Sequence, residues 1–266
     1  MFHPIAIHAF NPGPMTGAGN TTWLIPGRVP TLIDAGTGEP QHLAALEDAL
    51  KGAALAQVLV THSHTDHASG APAIAARLPD VRFRKMPWPE RDTKWPVDWK
   101  PIADGAVIAA GDDEIVAVHT PGHAPDHLCF WHEPSRTLVC GDLAVSGSTV
   151  WIPASLRGDL GDYLRSLERV RELAPARMLP AHGPVIEDPD RILRQYIEHR
   201  LQREAQIVEA MRSGAATLDA ITASVYRGLK EHLVPLARDG VAAHLAKLQR
   251  EGRARSEGEA WHMIEP

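Results

Sequence analysis

Apolar positions along this chain follow two spacings. Short runs rich in β-branched residues predict strands at Ile5–His8, Thr21–Ile25, Thr31–Ile33, Gln57–Val60, Glu114–His119, His127–Trp131, Thr137–Cys140 and Arg177–Pro180. Turn-forming clusters such as Asn11-Pro12-Gly13-Pro14 and Pro26-Gly27 punctuate them. Helical spacing appears over Gln41–Leu50, where Leu43, Leu46 and Leu50 share a face, and over Ala71–Leu78, with Pro72 in the first turn. It returns at Leu160, Leu164, Leu167 and Val170, with Asp159 as the N-cap. Arg82–Asp104 fits neither spacing. Rich in Pro and Trp, it reads as a long excursion.

The pattern changes after Pro189. Arg191–Met211 reads as a long charged helix, Thr217–Val225 as a second helix capped by Thr217, and Val241, Leu245 and Leu248 as part of a third. A polar turn then leads into a last strand, Ala260–Ile264. The expected organisation is an α/β catalytic domain over residues 1–190 and a small C-terminal domain over 191–266, with three helices and a hairpin-like wing.

Composition narrows the function classes. A chain of 266 residues can bury a large core. It holds no apolar run of the ~20 residues that span a bilayer. The start, Met1-Phe2-His3-Pro4, lacks the basic and apolar regions of a secretory signal. Both cysteines, Cys129 and Cys140, fall in apolar runs, as small buried residues of a reducing compartment would. A cytoplasmic protein with no membrane partner is expected. The net charge of −6 gives no global case for nucleic acid, so such binding needs a local patch.

Candidate chemistry centres on Thr61–Gly70, where His62, His64, Asp66 and His67 follow a predicted buried strand. Imidazole and carboxylate suit zinc and its first-row neighbours. One ion cannot easily use four groups of so short a loop, whereas two adjacent ions can. His123, Asp142 and His182 also stand at or just beyond strand ends, the two histidines beside Pro-Gly or Gly-Pro turns. Each alone could be a capping or core-edge residue; together they complete a second ligand set. His127, at the start of a strand, is a candidate partner that orients a ligand. In the excursion, Trp88, Trp95 and Trp99 suit a substrate lip and equally suit a loop pinned by its own aromatics.

His-x-His-x-Asp-His at His62–His67, Gly-His at His123, Gly-Asp at Asp142 and Ala-His-Gly at His182 resemble the metallo-β-lactamase superfamily. That resemblance implies an αββα sandwich with two divalent metal ions, zinc first among them, at one edge. His62, His64 and His123 would hold one ion, Asp66, His67 and His182 the other, and Asp142 would bridge them. A closer resemblance is to the β-lactamase-like protein 2 subgroup. Asn11–Thr16, Thr120–His123 with Asp126-His127, His182–Ile186, His199-Arg200 and the run Leu245 to Gly252 carry it. It implies a winged-helix-like C-terminal domain, and its animal members are endoribonucleases acting on single-stranded RNA. This chain departs from the subgroup at Thr21-Thr22-Trp23 and Ala68-Ser69-Gly70, without losing a ligand.

The expected activity is metal-dependent hydrolysis. Water between two cations ~3.5–4 Å apart loses its proton near neutral pH, with Asp66 orienting the nucleophile. The expected substrate is single-stranded RNA, favoured by the subgroup resemblance, by the tail's slight basic excess and by the tryptophans. A thioester or lactone, as in glyoxalase-II-like enzymes, with weak β-lactam hydrolysis, is the alternative. From another class comes a nucleic-acid-binding module with a structural metal. In the tail, nucleic-acid contact stands against packing or dimerisation, the latter giving a homodimer.

Overall fold

A computed structural model describes residues 2–147 and 149–264. Its first sheet contains β1 (Ile5–His8), β2 (Thr21–Ile25), β3 (Thr31–Ile33), β4 (Gln57–Val60), β5 (Arg82–Lys85) and β6 (Trp99–Pro101), in that spatial order. The first two pairings are antiparallel, and those from β3 to β6 are parallel. The crossovers carry α1 (Pro40–Leu50), α2 (Thr65–Ala68), α3 (Ala71–Arg77) and α4 (Pro89–Asp92).

The second sheet is built from β7 (Val107–Ala110), β8 (Asp113–His119), β9 (Leu128–His132), β10 (Thr137–Gly141) and β11 (Arg177–Pro180). Its order runs β11-β10-β9-β8-β7, antiparallel except for the parallel β10–β11 pair, whose crossover contains α5 (Leu160–Leu173). Asp159 caps α5 by accepting from the Asp162 amide, as the sequence predicts.

Three apolar clusters make this an αββα sandwich. Trp23, Ile33, Leu59, Phe130 and Leu179 meet between the sheets. Leu43, Leu46 and Ile74 cover the outer face of the first sheet, and Tyr163, Leu167 and Leu193 cover that of the second. At about 25 cal/mol per Å², burial of such side chains is the main force holding the layers together. Cys129 and Cys140 are buried free thiols within the second sheet.

Arg82–Asp104 is not an excursion over its whole length. Arg82–Lys85 pairs in parallel with β4, and Trp99–Pro101 extends the sheet. Alternating Arg and Lys concealed β5 from a reading by apolar periodicity. Its neighbours satisfy its backbone, and Phe83 and Lys85 turn inward.

The tail is a winged-helix arrangement of α6 (Pro189–Arg212), α7 (Leu218–Val225), α8 (Val234–Arg250) and the hairpin of β12 (Ala254–Glu257) and β13 (Ala260–Met263). Helix α6 belongs to two cores: Ile192, Leu193 and Tyr196 pack on the sandwich, while Ile207, Val208 and Met211 pack in the tail. The Thr217 hydroxyl accepts from the Ala220 amide at the start of α7. No helix among the described residues is long and apolar enough to cross a membrane.

Candidate metal centre

The sandwich delivers its site residues from strand ends along one edge. β4 opens into the loop and short helix bearing His62, His64, Asp66 and His67. The β8–β9 loop bears His123, while Asp142 follows β10 and His182 follows β11. The Leu128 amide donates to the Thr61 carbonyl at 2.8 Å, joining the two sheets at this edge.

The seven side chains converge in three overlapping groups: His62, His64 and His123; His62, His67 and Asp142; and Asp66, His67 and His182. His64 Nδ1 lies 3.0 Å from His62 Nε2 and 2.8 Å from His123 Nε2. His182 Nε2 is 3.2 Å from Asp66 and 3.4 Å from Asp142 Oδ1. Asp142 Oδ2 lies 3.4 Å from His123 Nε2 and 3.5 Å from His67 Nε2, so this carboxylate touches both ends of the cluster.

The ring protons follow from the outer partners. His123 Nδ1 donates to the Trp151 carbonyl at 2.7 Å, leaving Nε2 with a lone pair toward the cluster. The Thr61 hydroxyl donates to Asp34 and therefore accepts from His62 Nδ1, which turns the His62 Nε2 lone pair inward. Burial, then the neighbouring imidazoles, hold His62 and His64 well below the usual histidine range. Burial also lowers His123. Neutral nitrogens thus face one another with too few protons to pair them. His67 Nε2 and Asp142 Oδ1, which face the cluster, are buried without a hydrogen-bond partner. A metal cation satisfies such a donor set, and the residues fit one.

On the other side, burial opposes charge on His67, but Asp66, Asp142 and Asp34 outweigh it and raise its pKa. His182 is raised to about 9, with Asp142 and Asp66 overcoming its burial. Burial likewise opposes ionisation of Asp66 and Asp142. The facing histidines outweigh it and hold both carboxyls well below the usual range. This half of the cluster concentrates negative charge where a cation would sit.

Two supports are now visible. His127 Nε2 accepts from the Asp142 amide at 3.1 Å and Nδ1 meets the Thr120 hydroxyl at 2.8 Å, so the ring positions the Asp142 backbone. Preceding Asp142, Gly141 has φ +48°, and a Cβ there would come 2.8 Å from that same His127 nitrogen. Asp34 was not singled out by the sequence pattern. At φ +66° it ends β3 and receives the Thr61 amide at 2.7 Å and His67 Nδ1 at 2.8 Å. Its carboxylate turns His67 Nε2 toward the cluster. An Asp just past a strand, in a left-handed position that Asp tolerates, was the available signal. Asp34→Asn is expected to weaken metal affinity about 10- to 100-fold, read by competition with a chelator. Unchanged affinity would remove Asp34 from this role.

The cluster opens onto a cavity of about 910 Å³, whose walls include Met15, Arg91, Val145, Val150, Trp151 and Leu156. The tryptophans considered for a lip lie elsewhere. Trp88 is buried, and Trp95 and Trp99 pack against the outer core of the first sheet. Aromatic content does not reveal which face a ring takes, and Trp151, which does line the cavity, was missed for that reason. Residues 149–159 are tied to the C-terminal helices. Asp239 accepts from the Ser155 amide and hydroxyl at 3.0 Å each, Arg200 reaches Thr149 and the Val150 carbonyl, and Arg250 pairs with Asp159 at 2.6 Å.

Residues 15–182 match the Metallo-beta-lactamase superfamily, and residues 217–261 match the Beta-lactamase associated winged helix domain. The chain is 33% identical to "Beta-lactamase-like protein 2 homolog" of Drosophila melanogaster, over 98% of this chain and 94% of that protein. It is 31% identical to "Atrochrysone carboxyl ACP thioesterase" of Aspergillus chevalieri, over 85% and 74% respectively. A metallo-beta-lactamase family protein from Thermus thermophilus has the same fold, with a TM-score of 0.78 at 20% identity, covering 99% of this chain and 98% of that one. Other solved structures with this sandwich are in di-iron-bound and mono-zinc forms. Sandwich, converging ligand set and sequence likeness lead to one conclusion: the chain belongs to the metallo-β-lactamase superfamily of hydrolases and carries that superfamily's associated winged-helix domain.

Proposed function

We propose that the protein is a dinuclear metal-dependent hydrolase of a small acyl thioester or ester. His62, His64 and His123 would hold one divalent ion, Asp66, His67 and His182 the other, with Asp142 shared. When bound, such ions polarise the scissile carbonyl and make water a nucleophile near neutral pH. The chain's own part is to aim and enclose. Asp66, whose carboxylate lies 3.3 Å from His67 Nε2 and 3.2 Å from His182 Nε2, orients the attacking water. The apolar wall of Val145, Val150 and Leu156 keeps bulk water from the acyl group. The water oxygen joins the acyl carbon, the carbon–sulfur bond breaks, and the leaving thiolate takes up a proton.

One observation carries the choice of substrate: the C-terminal domain is spent on the cavity wall. Its cations Arg238, Lys247, Arg250, Arg253 and Arg255 are each paired with a carboxylate, while Arg212, Arg227 and Lys230, without a carboxylate partner among the described residues, lie outside the cavity lining. Helix α8 holds Ser155 and Asp159, and α6 holds Thr149 and Val150, beside the cavity. A nucleic-acid face needs unpaired cations along a groove. The sequence likeness to a thioesterase agrees with the small-substrate reading. RNA remains the competing substrate, favoured by the stronger likeness to β-lactamase-like protein 2 homologues.

The test is turnover of a pentanoyl thioester and of labelled single-stranded RNA, side by side, by metal-loaded protein. Thioester cleavage is expected, with RNA left intact. RNA cleavage alone would overturn the reading and give the tail back its role on a strand.

A further inference from the structure

One residue of the cavity wall has a charge that the hydrolase reading does not use. Arg91 is the only Lys or Arg among the described residues lining the cavity. It sits on α4, half-buried, between two acids that are both engaged elsewhere. Glu90 pairs with Arg157 and accepts from Trp88 Nε1 at 2.8 Å. Asp92 pairs with Lys85 at 2.6 Å and accepts from the Trp88 amide at 2.9 Å. Arg91 itself stacks over the Trp88 ring at 5.3 Å and has no carboxylate partner among the described residues.

The support beneath it is unusually charged for a buried place. Lys85 is 2% exposed and also lies 3.1 Å from Asp126, which is 1% exposed. Asp126 in turn accepts from the Ser63 hydroxyl at 2.7 Å. Ser63 stands between His62 and His64. Removing one member of such a buried ionic group leaves an uncompensated charge, so the group holds α4 in one position relative to the metal loop. A guanidinium on that support is pre-positioned, and its fork suits a carboxylate or a phosphate.

We propose that Arg91 determines specificity by binding an anionic group on the substrate, remote from the scissile bond, so that the enzyme prefers anionic acyl thioesters over neutral ones. This rests on the hydrolase reading above for the bond that is cleaved. The anion could belong to the acyl part or to the thiol carrier. Either would enter beside apolar side chains that take the hydrocarbon portion, with Arg91 the one Lys or Arg among the described lining residues to meet the charge.

The experiment compares charge-matched pairs on wild-type, Arg91→Met and Arg91→Lys proteins. One pair is the glutaryl and pentanoyl thioesters of N-acetylcysteamine. The other is pentanoyl-pantetheine with and without its 4′-phosphate. The anionic member of one pair should show the higher kcat/KM, and that pair names the source of the charge. Arg91→Met should reduce the anionic-to-neutral ratio roughly 10- to 100-fold, the worth of a hydrogen-bonded charge contact. Arg91→Lys should recover part of it. A wild-type ratio near one in both pairs, or an equal change in both members of each pair on Arg91→Met, would overturn the proposal.

A binding arm keeps it separate from the chemistry. Calorimetry on metal-free protein compares monomethyl glutarate with dimethyl glutarate. If no thioester is cleaved, the hydrolase reading fails while this arm still decides on Arg91. Tighter binding of the charged ester, lost in Arg91→Met, supports the anion site. Equal binding of the two esters to wild type counts against it.

Discussion

Asp142→Ala is expected to leave a folded protein that binds fewer metal ions and turns substrate over at least about 10³-fold more slowly. The magnitude follows from the several kcal/mol that Lewis-acid and bridging interactions supply in a two-ion site, with each 1.36 kcal/mol worth tenfold in rate. Asp142 reaches both halves of the cluster, lying near His123 and His67 through Oδ2 and near His182 through Oδ1. Its loss also leaves His67 and His182 with less of the negative charge that faces them. Metal analysis per chain, circular dichroism and turnover should be read together. Two ions and full turnover in the variant would sink the shared-ligand role, and His62→Ala offers an independent check from the other half.

The second large effect is on the fold. Gly122 precedes His123 at φ +137°, a backbone region that side chains disfavour. A Cβ there would come 2.3 Å from the Tyr163 Cα and 2.5 Å from its nitrogen, both backbone atoms of α5. The Gly122 carbonyl also accepts the Asp159 amide at the α5 cap. Tyr163 is fully buried and donates to the Leu143 carbonyl at 2.7 Å, one residue beyond Asp142. Gly122→Ala therefore forces α5 away from the loop that carries His123. A loss of about 4 kcal/mol or more is expected, corresponding to a Tm lower by roughly 10 °C for a chain of this size. An unchanged Tm would show that loop and helix separate cheaply.

Of the candidate site, the seven residues that the structure brings together were legible because they are chemically unusual together. Three histidines and an aspartate directly after a buried strand are more than solvation or capping calls for, and strand ends can converge on one sheet edge. The helix caps Asp159 and Thr217 were legible because capping is a local hydrogen bond between a side chain and an amide three residues away. The supports were not legible. Asp34 acts on His67 across 33 positions, and Lys85 acts on Asp126 across 41, and nothing local marks either pairing.

The winged-helix tail shows the division most clearly. Its helices and wing follow from apolar spacing, and a slight excess of basic residues suggested a nucleic-acid face. In the folded chain Lys247 and Arg253 meet Glu204, Arg250 meets Asp159, and Asp239 holds Ser155. Charge counted along a sequence cannot distinguish a free cation from a paired one, because pairing depends on which helices meet. Local periodicity and residue chemistry therefore made the helices, the wing and the candidate ligand types legible, while the αββα layer order came from the resemblance to the metallo-β-lactamase superfamily. Only the tertiary structure decided which cations stay unpaired and which aromatics face the cavity. It also decided which carboxylate orients each histidine, since those properties arise from contacts between residues far apart in the chain.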